Sequence, residues 1–399
     1  MDADVIVVGA GPAGSTAARE IASRHRLRDG ARVLLLDRAR FPRDKPCGGG
    51  VTVRTARLLP FALDPVVEDT VTGARLRVRD GREVIRDGDR PLTYMTQRRH
   101  LDAFLVERAQ DAGVEFRDGL TVRAVTALGG GGFALRTDGG TLRARVVIGA
   151  DGANGVVAGA LGFDAPATSA VALEGNIAFP EGVPDEWRRR VTLNFGYLPG
   201  GYGWVFPKRD HINVGVGGWK GVVGKRLRPA LDRLCRVYRL DPARLESLRG
   251  HHLPMQRRGM LTAHGGAAVI GDAAGLVDPL SGEGIHAAVL SGIAVADAVE
   301  AFLGERAPSL AAYHDTLQAR LADDLATSRA LTEIFYAAPA PFVWAMQHVD
   351  RVWERCAQIV RGDVDYAEIP RAFGAIGPLT LGPVAALARR RTASRHPER

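Results

Sequence analysis

Gly9, Gly11 and Gly14 follow a short β-branched run, residues 4–8, and precede a stretch of small helix formers, residues 15–23. A second apolar run, residues 33–36, ends at Asp37, about twenty positions beyond Gly14. Strand, glycine-rich turn, helix, strand and acid in this register make a βαβ unit that holds a dinucleotide. Gly9 permits the tight turn, Gly11 lets backbone approach a pyrophosphate, Gly14 lets the helix pack on the strand, and Asp37 holds a ribose hydroxyl. Ala10 and Ala13 in the same turn, Arg38 beside the acid and Val122 on a later strand are counted with this cofactor site.

Two further strand ends carry acids. Residues 146–150 are an apolar strand ending in Asp151-Gly152, and residues 267–270 are another ending in Gly271-Asp272 before small helix formers. Between them in type is Arg98: residues 97–112 place Leu101, Phe104, Leu105, Ala109 and Ala112 at helical spacing with Gly113 as a C-cap. Arg98 therefore stands in a first helical turn, where it can reach a phosphate.

The glycine fingerprint, the Asp-Gly pair and the Gly-Asp pair, in this order, resemble the FAD-dependent oxidoreductases with the p-hydroxybenzoate hydroxylase fold. The resemblance implies FAD as cofactor. It gives Asp272 a contact with the flavin-side ribose or ribityl chain, and it includes Arg98 followed four residues later by Asp102. It also makes Gly282, Gly284 and Ile285 a turn and helix start whose N–H groups suit an electron-rich reduced ring. After Asp151-Gly152 the family often continues with Ser and Arg, whereas this chain has Ala153-Asn154-Gly155, which weakens a role for Asp151 toward a pyridine nucleotide. With one βαβ fingerprint and no second Rossmann unit, the reductant, NAD(P)H or ferredoxin, stays open.

Two other segments address the substrate. Residues 41–50 contain Lys45-Pro46-Cys47-Gly48, and Tyr202-Gly203-Trp204-Val205-Phe206-Pro207 is followed by Gly215-Val216-Gly217. Residues 191–197, 201–206 and 211–216 read as consecutive antiparallel strands, so period two sets Tyr202, Trp204 and Phe206 on one face. On periodicity alone that stripe serves equally as core. Together the two segments resemble the geranylgeranyl reductase family, including digeranylgeranylglycerophospholipid and menaquinone side-chain reductases, over about residues 1–300. The resemblance implies that Tyr202, Trp204, Phe206 and Pro207 line an apolar channel for an isoprenoid chain, and that the Cys47 loop lies beside the flavin. It makes Cys47 a catalytic candidate: saturating an alkene takes a hydride and a proton, and a thiol is mostly protonated at neutral pH. The alternative is that Cys47 is a small packing residue.

Other function classes are weighed against this one. Flavin-dependent halogenases carry a similar aromatic motif but need a lysine upstream of it, and no lysine occurs between Lys45 and Lys208. Hydroxylation by the same fold, or a non-catalytic flavoprotein that binds lipid or docks with a redox partner protein, stays open. His251, His252 and Glu283 lack a ligand-spaced partner set, so no metal is expected.

These sites need an α/β lobe and an antiparallel sheet. The expected architecture is a Rossmann-type FAD-binding lobe, residues 1–60, 95–165 and 255–305, interrupted by an antiparallel-sheet substrate lobe, residues 61–94 and 166–254, with C-terminal helices in 306–399. A chain of 399 residues, 46% hydrophobic and 25% charged, has the size and composition for it and excludes disordered or disulfide-scaffold classes. Three scattered cysteines and an acidic N-terminus point to a cytoplasmic protein. The net charge of +8 is spread and almost all arginine, with no basic helix interleaved with stacking aromatics, which argues against nucleic acid. Residues 374–391, apolar and then arginine-rich, are the candidate for peripheral contact with an anionic membrane, and no bilayer-spanning segment is expected.

Overall fold

The β-branched run at the N-terminus has no polar face, and in the computed structural model Val5, Ile6 and Val7 are fully buried. Such a run suits a central parallel strand covered on both sides. The structure describes residues 1–25, 30–164, 168–255, 259–371 and 383–388. In chain order the elements begin with β1 (Ala3–Val8), α1 (Pro12–His25), β2 (Val33–Leu36), β3 (Gly50–Thr52), α2 (Val53–Ala56), β4 (Val67–Val71), β5 (Gly73–Val78), β6 (Val84–Arg86) and β7 (Thr93–Thr96). Then come α3 (Arg98–Asp111), β8 (Glu115–Arg117), β9 (Val122–Ala127), β10 (Phe133–Thr137), β11 (Gly140–Gly149), α4 (Val157–Ala160) and β12 (Thr168–Ala178). They continue with β13 (Arg190–Phe195), β14 (Tyr202–Pro207), β15 (His211–Trp219), α5 (Lys220–Val223), α6 (Leu227–Val237), β16 (Glu246–Met255), β17 (Ala263–His264) and β18 (Ala267–Val269). The helices α7 (Ile285–Leu303), α8 (Ala311–Ala337), α9 (Pro339–His348), α10 (Asp350–Arg361) and α11 (Glu368–Arg371) complete the sequence.

Two compact units emerge. The first holds Met1–Lys45, Arg98–Thr168 and Leu253–Asp323, and the second Pro46–Gln97, Ser169–His252 and Asp324–Arg399. The C-terminal helices expected as one region are thus shared: α8 begins in the first unit and ends in the second.

The first unit is built on a sheet of order β17-β18-β11-β1-β2-β8, with β10 paired to β11 and β9 to β10. β1 pairs in parallel with both β2 and β11, which brings the ends of three strands to one edge. α7 crosses α1 so closely that a Cβ on Gly292 would lie 2.7 Å from the Ala13 carbonyl oxygen. By length and composition α7 could cross a membrane, unlike any segment expected to, yet most of it is buried in the protein, as a core helix is. Tyr313 of α8 is fully buried and its hydroxyl donates to the Val269 carbonyl at 3.1 Å.

The second unit has a seven-stranded sheet of order β16-β12-β15-β14-β13-β5-β6 and a three-stranded sheet of order β3-β7-β4. The larger sheet is antiparallel through β12 to β15, as period two requires, while β5 joins β13 in parallel. One face packs on α6 through Val205, Val214, Leu231, Leu234 and Cys235. The other gathers Ala74, Leu76 and Phe195 with Phe335, Val343 and Trp353 from α8, α9 and α10. Of residues 374–391, only 383–388 lie among the described residues, so the membrane-contact candidate falls largely outside them.

Candidate active site

In the first unit the glycine turn behaves as its spacing predicts. Gly9 has φ +103°, and a Cβ there would sit 2.3 Å from the Ala150 carbonyl oxygen, at the end of β11. A Cβ on Gly14 would fall 1.8 Å from the Gly9 carbonyl oxygen, so helix and turn touch backbone to backbone. Gly11 differs: nothing lies nearer to its Cβ position than the guanidinium ends of Arg43 and Arg98, each at 3.7 Å. The turn opens onto two cations at the start of α1, a helix with no acid in its first turn.

One carboxylate organises them. Asp102, fully buried on α3, takes two hydrogen bonds of 2.7 Å from Arg98 and an ion pair of 2.7 Å from Arg43. Arg43 also lies 3.8 Å from Asp37 and over the Phe41 ring, which is itself held edge-on by Phe116. Asp37 accepts from the Ala10 and Ala39 amides at 2.9 Å and so pins the glycine turn to the tip of β2. Two guanidinium groups stand beside a helix N-terminus, and a diphosphate fits that arrangement.

Around the end of β18, Gly271 presses on α1, where its Cβ would meet the Ala13 methyl at 2.9 Å. Asp272 forms an ion pair with Lys45 at 3.3 Å, and a Cβ on Gly284 would approach the Asp272 carboxylate at 3.0 Å. The Asp278 carboxylate takes the Leu280 and Ser281 amides and the Ser281 hydroxyl, which folds the turn that carries Gly282 toward α7. No side chain caps α7 among the described residues, and Gly284 and Ile285 stand at its start. Asp151 accepts from Val156 and Val157 at the head of α4 at 2.6 and 3.0 Å, while its Oδ1 has no hydrogen-bond partner among the described residues. Desolvation holds that carboxyl above the usual carboxylate range, against the pull of those amides and of the exposed Arg38. Val122 opens β9 and is buried.

In the second unit the aromatic stripe lies on one face as expected. Ring centres step 6.0 Å from Tyr202 to Trp204 and 6.2 Å on to Phe206. Beyond Tyr202 the row continues to Phe195 at 6.0 Å and then to Phe335 at 4.9 Å, a continuation that joins strands to a helix far along the chain. Trp204 is largely buried: its Nε1 donates to Asn213 at 2.7 Å, and its ring lies where a Cβ on Gly215 would be, 2.1 Å away. Asn213 is held in turn by Asn176 at 3.0 Å. Tyr202 and Phe206 are half-buried, and Pro207 is buried.

The cysteine loop sits on this row. A Cβ on Gly48 would strike the Phe206 ring at 2.7 Å, so Gly48 is needed there for close approach. The half-buried Cys47 donates its amide to Glu174 at 2.6 Å, and its Sγ accepts from the Gly49 amide at 3.4 Å. Lys208, directly after the aromatic motif and 3% exposed, donates to the Gly48 carbonyl at 2.6 Å. Burial pushes its ammonium down to about 8, opposed first by the nearby Cys47 and then by Glu174, Glu68 and Asp69.

Sequence reasoning missed Arg43, Lys45, Glu174 and Lys208. Lysine is rare enough here, with Lys45, Lys208, Lys220 and Lys225 the complete set, that two of them flanking the cysteine loop and the aromatic motif was a usable signal. Glu174 had none. Among the described residues no three His, Cys, Asp or Glu side chains cluster as metal ligands.

Known proteins are similar to this chain. A family model described as an FAD binding domain matches residues 2–325. A geranylgeranyl diphosphate reductase of Rhodobacter capsulatus is 35% identical over 318 residues, 77% of this chain and 78% of that one. The chain belongs to the geranylgeranyl reductase family of FAD-dependent oxidoreductases. A digeranylgeranylglycerophospholipid reductase of Methanothrix thermoacetophila is 32% identical over 75% of this family member and 79% of that protein. A menaquinone reductase of Mycolicibacterium smegmatis is 34% identical over 71% and 73%. Among solved structures, a geranylgeranyl bacteriochlorophyll reductase-like protein of Thermoplasma acidophilum aligns with TM-score 0.74 and 23% identity over 98% of both chains. A flavin-dependent brominase aligns with the same TM-score at 19% identity, over 98% of this chain and 99% of that one, and shares the fold. The cofactor of this geranylgeranyl reductase family member is FAD, and the chain is an oxidoreductase.

Proposed function

We propose that this geranylgeranyl reductase family member hydrogenates carbon–carbon double bonds of an isoprenoid chain carried on a diphosphate, a lipid or a quinone. The observation that carries the reading is the seat of Gly48, the neighbour of Cys47, on Phe206 at the end of a row of aromatic rings. An isolated alkene offers nothing polar to hold, so an apolar wall with one protic group at its end suits it. The names of the relatives support the same substrate class.

Gly9, Ala10, Gly11, Ala13, Gly14, Asp37, Arg43 and Arg98 would hold the dinucleotide part of FAD. Lys45, Gly271, Asp272, Gly282, Gly284 and Ile285 would hold its flavin side, with Arg38, Val122 and Asp151 as neighbours. When bound and reduced, FAD supplies hydride. The chain's own work is to keep the alkene on Tyr202 and Phe206, brace that wall through Trp204 and Pro207, and deliver a proton from the Cys47 thiol.

The test is anaerobic incubation of the dithionite-reduced protein with geranylgeranyl diphosphate, a geranylgeranylated glycerolipid and menaquinone, read by mass. Products heavier by two hydrogens per double bond are expected from at least one. Cys47→Ala is expected to bind FAD normally and to lose about 100-fold in turnover, within the range of acid–base catalysis. Full turnover by that variant would return Cys47 to a packing role.

A further inference from the structure

Lys208 is the one buried lysine among the described residues, and its surroundings exceed what a structural clamp needs. An ammonium has three donors. Those of Lys208 meet the Gly48 carbonyl at 2.6 Å and the Met95 thioether at 3.7 Å, and no carboxylate forms an ion pair with it among the described residues. A neutral amide donor would hold Gly48 without the cost of burying a sparsely partnered cation. The charge itself therefore calls for a use.

The titratable groups that act on this ammonium are Cys47 from the loop before β3, Glu174 from β12, and Glu68 and Asp69 from β4. Glu174 also holds the Cys47 amide, so acid and lysine both hold the loop that carries the thiol. Glu68 and Asp69 also line a cavity of about 970 Å³ whose wall includes the exposed Asp185 and Arg188.

We propose that Lys208 is the proton reservoir that recharges Cys47 between successive double-bond reductions. The inference rests on Cys47 as proton donor in the reaction proposed above. In each cycle the alkene π bond is consumed as one carbon takes the hydride that reduced FAD supplies and the other takes the thiol proton. The thiolate left on Cys47 takes a proton from the Lys208 ammonium, and the neutral amine takes one from water. No other oxidant or reductant is needed. An ammonium brought down to about 8 is charged at neutral pH yet releases its proton readily. Lys208 acts through Cys47 and is a positioning residue in that sense.

The test uses the full chain loaded with FAD, excess dithionite and geranylgeranyl diphosphate, with wild type and Lys208→Arg compared from pH 6 to 10. Arginine keeps a cation on Gly48 but does not release a proton in this range. Wild-type kcat is expected to be level below pH about 8 and to fall above it, as the protonated form is lost. Lys208→Arg is expected to reduce the first double bond at the wild-type rate, from the proton already on Cys47. It then slows at least about tenfold, with KM within twofold and the fall near pH 8 gone. Equal slowing of first and later reductions, or an unchanged pH profile, overturns the inference. A second readout needs no variant to be active: with ¹⁵N-labelled lysine, one of the four lysine signals is expected to titrate near pH 8. Four ordinary titrations overturn it. Absence of any reduced product from wild type counts against the reductase reading and takes this inference with it. Normal product with an unaltered Lys208→Arg profile overturns this inference alone.

Discussion

Asp102 is fully buried with two guanidinium groups on it, so its loss would leave two cations without their shared partner. Removing one side of a buried ionic cluster costs about 3–5 kcal/mol. Asp102→Ala is therefore expected to lose that much in urea unfolding, and to bind FAD more weakly because Arg43 and Arg98 lose their orientation. Gly215 offers a second test at this scale. A Cβ there would enter the Trp204 ring, and pushing that ring off its floor breaks the bond to Asn213. Gly215→Ala is expected to cost about 1–3 kcal/mol by overpacking, to shift tryptophan fluorescence and to abolish alkene reduction. FAD binding, which rests on other residues, should persist.

At the scale of elements, α1 carries the cradle and α7 holds α1 in place through backbone contact at Gly292. Gly292→Val would force the two helices apart where Ala13 and Thr16 lie, and the start of α1 would leave the ends of β1 and β18. The FAD dissociation constant, measured by fluorescence titration, is expected to rise at least about tenfold. An unchanged value would show that the cradle does not depend on this helix crossing. Hydrophobic periodicity placed α3 and the β13–β15 meander correctly because their faces differ in polarity. It could not place β5 beside β13, since a parallel pairing between residues more than a hundred positions apart leaves no mark in either segment.

At the scale of the whole molecule, Lys208 links stability to pH. Its folded value, about 8, lies below the ordinary 10.5, so the unfolded chain holds the proton more tightly. Stability should then rise with pH from about 8 to 10.5, and that gap corresponds to about 3 kcal/mol of burial penalty at neutral pH. Lys208→Met sheds the penalty and loses one hydrogen bond worth about 1 kcal/mol. It is expected to be about 2 kcal/mol more stable than wild type at pH 7, with the advantage gone by pH 10.5, and to be slower in turnover. Thermal unfolding of both proteins across that range decides the matter, and a less stable variant at pH 7 would make Lys208 a structural residue.

The sequence by itself determined the glycine turn, the acid after β2, Arg98 in a first helical turn and the common face of Tyr202, Trp204 and Phe206. Each is a local property, set by backbone geometry and by periods of two or 3.6 residues. Only the tertiary structure decided that Arg43 shares Asp102 with Arg98, that Phe335 extends the aromatic row, and that Glu174 and Lys208 close on the Cys47 loop. Those contacts join residues far apart in the chain, and a buried charge or a lone glutamate is legible only once the elements that bury it have been assembled.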